Sequence, residues 1–304
     1  MSRALRAATR GSRLARWQTE HVASLLDAPV EVEVVETAGD RRPDVPIWEI
    51  GGRGVFVKEV QAAVLDGRAD IAVHSAKDLP SMPAPGLLLA AVPERGDPRD
   101  ALVGATLEGL PVGATVATGS VRRRAQLAWL RPDLTFASLR GNIDTRLARA
   151  AGFAAVVVAA AALERLERTD RIGEVLPASV MVPQVAQGAL AVECRVDDEE
   201  AQTALAGIEH GPSRRAVDAE RAFLARLGGG CDLPVGAHAT IDDTTAEDGG
   251  AIRLDGLLAS LDGHVLLRAV RTGADPVAVG VDLADHLLVG AGGSFLLDSL
   301  GVAG

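Results

Sequence analysis

A cysteine stands at the tip of a glycine neck, Gly228-Gly229-Gly230-Cys231-Asp232-Leu233-Pro234, between a helical stretch and a proline stop. Three successive glycines make that neck supple, and it offers no apolar element in which a structural thiol would be buried. Cys231 therefore reads as a presented thiol, with an incidental cysteine in a helix-ending loop as the plainer alternative. Cys194 lies in the continuation of the apolar run Ala189 to Val192 and reads as an ordinary core thiol. The two cysteines are far apart, and neither belongs to a CxxC pair. A reducing interior disfavours a disulfide between them, so any work for a cysteine is chemical.

Arginines supply the second signal. Arg122, Arg123, Arg124, Arg131, Arg140, Arg146 and Arg149 crowd the stretch from Val116 to Ala150, opposed there only by Asp133 and Asp144, in a chain whose net charge is −10. Guanidinium forks match carboxylates two oxygens at a time, so the cluster suits a ligand with several carboxylates. Arg124, Arg131 and Arg149 share no common helical side and read as a solvated face. Ser120 follows a strand and precedes a helix, which makes it an N-cap with free N–H groups and a positive dipole end beside Arg122 and Arg123. The start of the chain repeats this corner, with Ser12 as cap and Arg10 alongside. Arg140 and Arg146 flank the Gly141-Asn142 turn at a third.

The run Asp70-Ile71-Ala72-Val73-His74-Ser75-Ala76-Lys77-Asp78-Leu79-Pro80 reads as a buried strand that ends in a polar burst. Lys77 and Asp78 could be a surface ion pair of little consequence. At the end of a strand in a cleft-forming domain they are equally candidates for catalysis. Lys58 and Lys77 are the two lysines among 31 basic residues, which favours places where a compact ammonium is wanted.

The elements that must carry these residues follow from periodicity. At 304 residues the chain is long enough for two or three domains. Hydrophobic residues make up 48% and charged residues 24%, a globular composition. Short apolar runs alternate with amphipathic stretches to about residue 95, and Pro93 to Pro98 reads as a linker. The alternation resumes and closes near Pro177 and Pro183. After residue 210 comes a helix from Arg215 to Leu227, then strands near Ala237 to Ile241, Ile252 to Leu258 and Val265 to Val270, then helices from Pro276, a small α+β arrangement. The run Ala154 to Leu163 is half the roughly 20 residues of a spanning helix and reads as a strand entering a helix. No secretory signal is read at the N-terminus, which carries arginines without an apolar core. Net charge −10 and 3% aromatics disfavour nucleic acid as a partner.

Several stretches together resemble the porphobilinogen deaminase family, also called hydroxymethylbilane synthases. They are Ala8-Thr9-Arg10-Gly11-Ser12-Arg13-Leu14-Ala15, Gly51 to Glu59, Ala69 to Pro80, Asp97-Pro98-Arg99-Asp100-Ala101, Ser120-Val121-Arg122-Arg123, Leu139-Arg140-Gly141-Asn142 with Thr145-Arg146-Leu147, Gln187-Gly188-Ala189, and Glu220 to Leu224 with Gly229-Gly230-Cys231. They run in family order over nearly the whole chain.

The resemblance implies an α/β fold of two periplasmic-binding-protein-like (type II) lobes around a cleft plus a small C-terminal α+β domain. The implied domains are 1–95 with 189–210, 96–188, and 211–304. It implies an enzyme, a transferase that condenses four porphobilinogen molecules head to tail with loss of ammonia and releases a linear tetrapyrrole by hydrolysis. Its cofactor would be a dipyrromethane held on Cys231 by a thioether. Asp78 would be the catalytic acid and would stabilise the cation left when porphobilinogen loses ammonia. Lys77, Ser120, Arg122, Arg123 and Arg146 would join Cys231 and Asp78 in holding the cofactor. Arg10, Ser12, Arg140 and Arg165 would bind substrate, and Phe56 and Arg53 would belong to a lid. A cytoplasmic monomer, without nucleic acid or membrane partners, is implied as well.

The chain departs from the family pattern at Arg53, Glu49, Ala76, Gly119, Ala186 and Asp232. Glu49 bears on the charge of the lid and Asp232 on primer attachment. The rival reading is a solute-binding protein of the same two-lobed shape. It calls for an export signal and leaves Cys231 unexplained.

Overall fold

The structure, a computed structural model, describes residues 3–41, 54–229, 233–242 and 250–299. Its chain divides into two compact units, residues 1–96 with 188–214, and 97–187 with 215–304.

In the first unit, strand β1 (Leu5–Arg10) is followed by α1 (Arg13–Leu25), β2 (Val30–Val35), the short α2 (Ala38–Arg41) and α3 (Lys58–Leu65). Then come β3 (Ile71–Ser75), a one-turn helix over Ala76–Asp78, and β4 (Leu87–Ala91). The sheet has the order β2-β1-β3-β10-β4, in which β10 (Leu190–Arg195) runs antiparallel to β3 and β4 while β2, β1 and β3 are parallel. The inner strands β3 and β10 are buried on both faces, whereas β2 at the edge alternates valine with glutamate and is largely exposed. Successive residues alternate between two cores. Ala7, Ile71 and Val73 pack with Val22, Leu190, Val192, Cys194 and Leu205 on one face. Ala8 and Ala72 pack with Val60, Ala63 and Val64 of α3 on the other. Cys194 is buried in the first of these cores, as the sequence led us to expect.

Asp70, just ahead of β3, receives the Arg6 backbone N–H at 2.8 Å and Arg6 Nη2 at 2.9 Å, with Arg3 Nη1 3.1 Å away. Burial raises the Asp70 carboxyl, but the hydrogen bonds from Arg6 and Arg3 outweigh it and hold the group near 2. A carboxyl lowered in the fold stabilises it above the ordinary value of 3.8, and that contribution is lost as pH falls toward 2. Asp70→Asn is therefore expected to cost about 1–2 kcal/mol at pH 7, discounted for the exposed arginines, and little at pH 2. Urea titrations at both pH values check this; an equal loss at each would assign Asp70 to packing alone.

The second unit opens with β5 (Asp100–Val103) and β6 (Thr115–Ala117), then α4 (Val121–Leu130), β7 (Thr135–Ala137) and α5 (Ile143–Ala148). It continues with β8 (Ala155–Ala159), α6 (Ala160–Arg165) and β9 (Ile172–Leu176). Its order, β7-β6-β8-β5-β9, repeats that of the first sheet strand for strand, with β5 in the place of the antiparallel β10. Two sheet-and-helix lobes of one topology are the α/β architecture read from the sequence. Strands β5 and β9 were missed there, because Asp100–Val103 is short and Ile172–Leu176 carries Gly173 and Glu174 at the sheet edge. The apolar run through Ala159 is indeed a strand passing directly into a helix.

Beyond α7 (Glu199–Ala206) and α8 (Gly211–Arg226) lies the small third sheet, an antiparallel meander of β11 (Val235–Asp242), β12 (Ala251–Ala259) and β13 (Leu266–Gly273). Helices α9 (Pro276–Asp285) and α10 (Ser294–Ser299) follow it. Gly280 allows α9 to meet α8 closely, since a Cβ there would lie 2.4 Å from the Ala219 carbonyl. Within this unit Leu257 and Ala259 of β12 pack with Ala125 and Val182. Glu220, fully buried on α8, accepts the backbone N–H groups of Ala186 and Ala239. Ala186 has φ +58°, a left-handed conformation that glycine adopts at less cost than alanine.

Candidate functional site

In the first unit, β1 and β3 are parallel neighbours in register Ala7 to Ile71 and Ala8 to Ala72. Their carboxyl ends therefore deliver Arg10 and Ser12, and Lys77 and Asp78, to the same edge of the sheet, where open α/β sheets bind ligands. Ser12 is the N-cap of α1 and accepts the Ala15 N–H at 3.2 Å, as its sequence position indicated. Arg10 is held before any ligand arrives. Its Nε and Nη2 bond the two oxygens of Asp40, and its guanidinium carbon lies 4.3 Å from the centre of the Phe56 ring. Burial raises the Asp40 carboxyl, yet Arg10 and Thr37 together keep it below its usual range.

Asp78 ends the one-turn helix that follows β3, half-buried beside Lys77. The turn is braced from two sides. Ser75 Oγ and the buried Gln18 of α1 are linked at 2.8 Å, and the Ala76 N–H donates to the Ala189 carbonyl at 3.0 Å. His74 Nε2 lies 3.0 Å from Glu193 Oε2, whose carboxylate also accepts from Gln61 at 2.9 Å. Among the described residues, nothing donates a hydrogen bond to the Asp78 carboxylate itself. A fixed backbone thus presents an uncommitted acid, the arrangement a catalytic group needs.

In the second unit, the carboxyl ends of the parallel β6, β7 and β8 gather Ser120, then Arg140, Asn142 and Arg146, then α6 with Arg165, along one edge. Ser120 caps α4, accepting the Arg123 N–H at 3.4 Å, and Asn142 caps α5, accepting the Thr145 N–H at 2.9 Å. Gly141, at φ +104°, makes the turn between Arg140 and Asn142; a Cβ there would strike Thr145 at 2.8 Å. Arg146 Nε donates to the Gly141 carbonyl at 2.9 Å. Arg140, Arg146 and Arg165 are half-buried, and burial pushes the Arg165 guanidinium down to about 10 against the pull of Glu164.

Arg122 and Arg123 differ from all of these, being 2% and 4% exposed. Register Asp100 to Ala159 sets Asp100 beside the end of β8, where it meets both. Arg123 Nε donates to Asp100 Oδ1 at 2.9 Å, Nη1 to the Val157 carbonyl at 3.0 Å, and Nη2 to Gln187 Oε1 at 3.3 Å. Arg122 Nη1 lies 2.8 Å from Asp100 Oδ2 and donates to the Val182 carbonyl at 2.7 Å. Arg122 Nε and Nη2 are buried without a hydrogen-bond partner. Burial raises the Asp100 carboxyl, but the charges of Arg122 and Arg123 overcome it and hold it far below the usual range.

Three further arginines were read as a solvated face. Arg124 and Arg149 are exposed, and Arg124 lies over the Phe136 ring at 6.0 Å. Arg131 is instead half-buried and structural, donating to the Leu107 and Leu110 carbonyls and pairing with Asp133. Cys231 and Arg53, with Glu49 and Asp232, lie outside the described residues. Sequence reasoning gave no role to Asp40, Asp100, Gln18 or Gln187, because each meets its partner across a long chain separation that leaves no local spacing to read.

No helix among the described residues is long and apolar enough to cross a membrane. Residues 5–203 match the family model "Porphobilinogen deaminase, dipyromethane cofactor binding domain", and residues 215–289 match "Porphobilinogen deaminase, C-terminal domain". The porphobilinogen deaminase of Brevibacillus brevis is 43% identical over 302 residues, 96% of each chain. That of Roseiflexus sp. strain RS-1 is 46% identical over 308 residues, covering 97% of this chain and 99% of the other. That of Syntrophotalea carbinolica is 45% identical over 301 residues, 94% and 93%. A periplasmic sulfonate-binding protein, putative SsuA from Methylobacillus flagellatus, overlays with a TM-score of 0.38 at 13% identity over 72% of this chain and 67% of its own, too slight a likeness to carry an argument. With both family models matched in order and relatives this similar along nearly the whole length, the chain belongs to the porphobilinogen deaminase family.

Proposed function

We propose that this chain is a porphobilinogen deaminase in activity as well as in family, a transferase that joins four porphobilinogen units with loss of ammonia and releases the linear tetrapyrrole by hydrolysis. The carrying observation is the buried Arg122, whose Nε and Nη2 lack partners in the region matched by the cofactor-binding family model. Spare guanidinium donors out of water suit a carboxylate, and dipyrromethane side chains are carboxylates, so the residues present fit that group. Bound through Cys231, the dipyrromethane would supply the covalent primer from which the chain grows.

The protein's own residues then have distinct tasks. Asp78 gives its proton to the departing ammonia and, as the carboxylate that this leaves, stabilises the cation formed on the substrate. Lys77, Ser120, Arg122, Arg123 and Arg146 orient the cofactor's carboxylates. Arg10, Ser12, Arg140 and Arg165 orient the incoming substrate, with Phe56 and Arg53 enclosing it. Orientation is most of the catalysis, because a pyrrole carbon meeting a cation needs alignment more than a strong base. In the same reading the second unit comprises two domains, 96–188 and 211–304, alongside a first of 1–95 with 189–210, and the protein acts as a cytoplasmic monomer.

Purified protein given porphobilinogen should release ammonia and accumulate the linear tetrapyrrole; no ammonia release would reject the activity. Arg122→Leu is expected to lower turnover at least tenfold and to stall at primer assembly or early elongation, seen as a shortened ladder of covalent adducts in intact-mass spectra. Normal assembly and elongation would count against the arginine grip.

A further inference from the structure

We infer that Gln126 is a positioning residue for the cofactor tether: by gripping Val182 it fixes the feet of the Cys231 loop relative to the helix that carries Arg122 and Arg123. This rests on the proposed reading that Cys231 carries the dipyrromethane and that this helix orients its carboxylates.

Gln126 is buried on α4, one turn past Arg122. Its carboxamide pairs with the backbone of Val182 as a neighbouring strand would. Nε2 donates to the Val182 carbonyl at 3.0 Å, and Oε1 accepts the Val182 N–H at 2.7 Å. One residue on, the Pro183 carbonyl accepts the Ala237 N–H of β11 at 3.0 Å, and a Cβ on Gly236 would lie 2.9 Å from the Val182 and Pro183 carbonyls. Glu220 of α8 closes the far end of the segment, accepting the N–H groups of Ala186 and Ala239. At Ala237 and Ala239 the edge of β11 that the meander leaves open is thus answered by the 182–186 segment and a buried carboxylate.

These contacts bracket the tether. Helix α8 ends shortly ahead of Cys231 and β11 begins shortly after it, so both flanks of the loop are tied to the segment that Gln126 holds. The glycines before the thiol are spent on close packing. Gly228, at φ +68°, ends α8, and a Cβ on Gly229 would lie 2.5 Å from Leu233 Cδ1. The neck whose glycines read as supple is therefore packed as far as Gly229 and again from Leu233, each two residues from Cys231. Growth requires the end of the tethered chain to meet each incoming unit, and a misplacement of about 1 Å can cost roughly 10²-fold in rate. A paired carboxamide holds such a position better than apolar contact, because slippage leaves a buried donor or acceptor unmet.

Gln126→Met keeps the length of the side chain and removes both Val182 bonds. Intact mass, the ladder of covalent adducts, and kcat and KM for porphobilinogen are compared in the parent protein, Gln126→Met and Arg131→Met. Arg131→Met loses bonds to the Leu107 and Leu110 carbonyls and the pairing with Asp133, elsewhere in the same unit, and so controls for lost stability. Gln126→Met is expected to keep the mass excess of one dipyrrole, to lose at least tenfold in kcat with KM within threefold, and to pile up adducts at the first additions. Arg131→Met should keep kcat within twofold and an unaltered ladder. Equal kcat losses in the two variants, or a loss expressed in KM, would overturn the inference. A parent protein without ammonia release or mass excess would instead overturn the functional reading beneath it. If Gln126→Met does not fold by circular dichroism, Gln126→Asn decides. Its amide, one methylene shorter, holds at most one of the two Val182 bonds, so kcat should fall at least threefold at unchanged KM; a smaller fall would overturn the inference.

Discussion

Cys231→Ala is expected to produce a protein whose intact mass equals its sequence mass and which turns over no porphobilinogen, where the parent protein exceeds its sequence mass by one dipyrrole unit. A growing polymer with several carboxylates dissolves readily in water, and a covalent tether converts each addition into a reaction between groups already held together. That effect is worth roughly 7–11 kcal/mol in favourable cases, so removing the tether abolishes turnover rather than slowing it. Cys194→Ala is the control. Its thiol is buried in the first unit's core and burial pushes it up to about 11, leaving almost no thiolate at neutral pH. The Cys194→Ala protein should keep the mass excess. A parent enzyme that is active yet carries a free thiol at 231 would reject the covalent account.

Asp78→Asn should retain that mass excess and lose about 10²–10⁴-fold in kcat, the range for removing a positioned acid or a group that stabilises transition-state charge. The substitution preserves shape and removes charge. Since no described residue donates a hydrogen bond to the Asp78 carboxylate, the fold has nothing to lose, and the urea midpoint should shift by no more than about 0.5 kcal/mol equivalent. The braces lie elsewhere, at Ser75 and the Ala76 N–H. A kcat within threefold of the parent would remove Asp78 from catalysis. A large loss of stability would show that it is structural.

Much of this was legible in the chain itself. The elements of the first lobe follow from apolar periodicity, and the serine caps follow from local chemistry: a hydroxyl three residues ahead of a free N–H is a short-range relation. Ser12 and Ser120 are found where their spacing put them. The apolar run through Ala159 could be read as a buried strand for the same reason. Strands β5 and β9 escaped, being short edge or near-edge segments whose pairing with β8 and each other is decided at long range.

Residue type and order determined what chemistry is possible here: a thiol on a glycine stalk, an acid at a strand end, and guanidinium groups where helices begin. Only the tertiary structure decided which arginines are committed. The sequence presents Arg122 and Arg123 as equals, yet a strand register that sets Asp100 against Ala159 engages one fully and leaves the other with donors to spare. A buried charge is answered by whatever the fold brings within about 3 Å, and that distance carries no trace of separation along the chain.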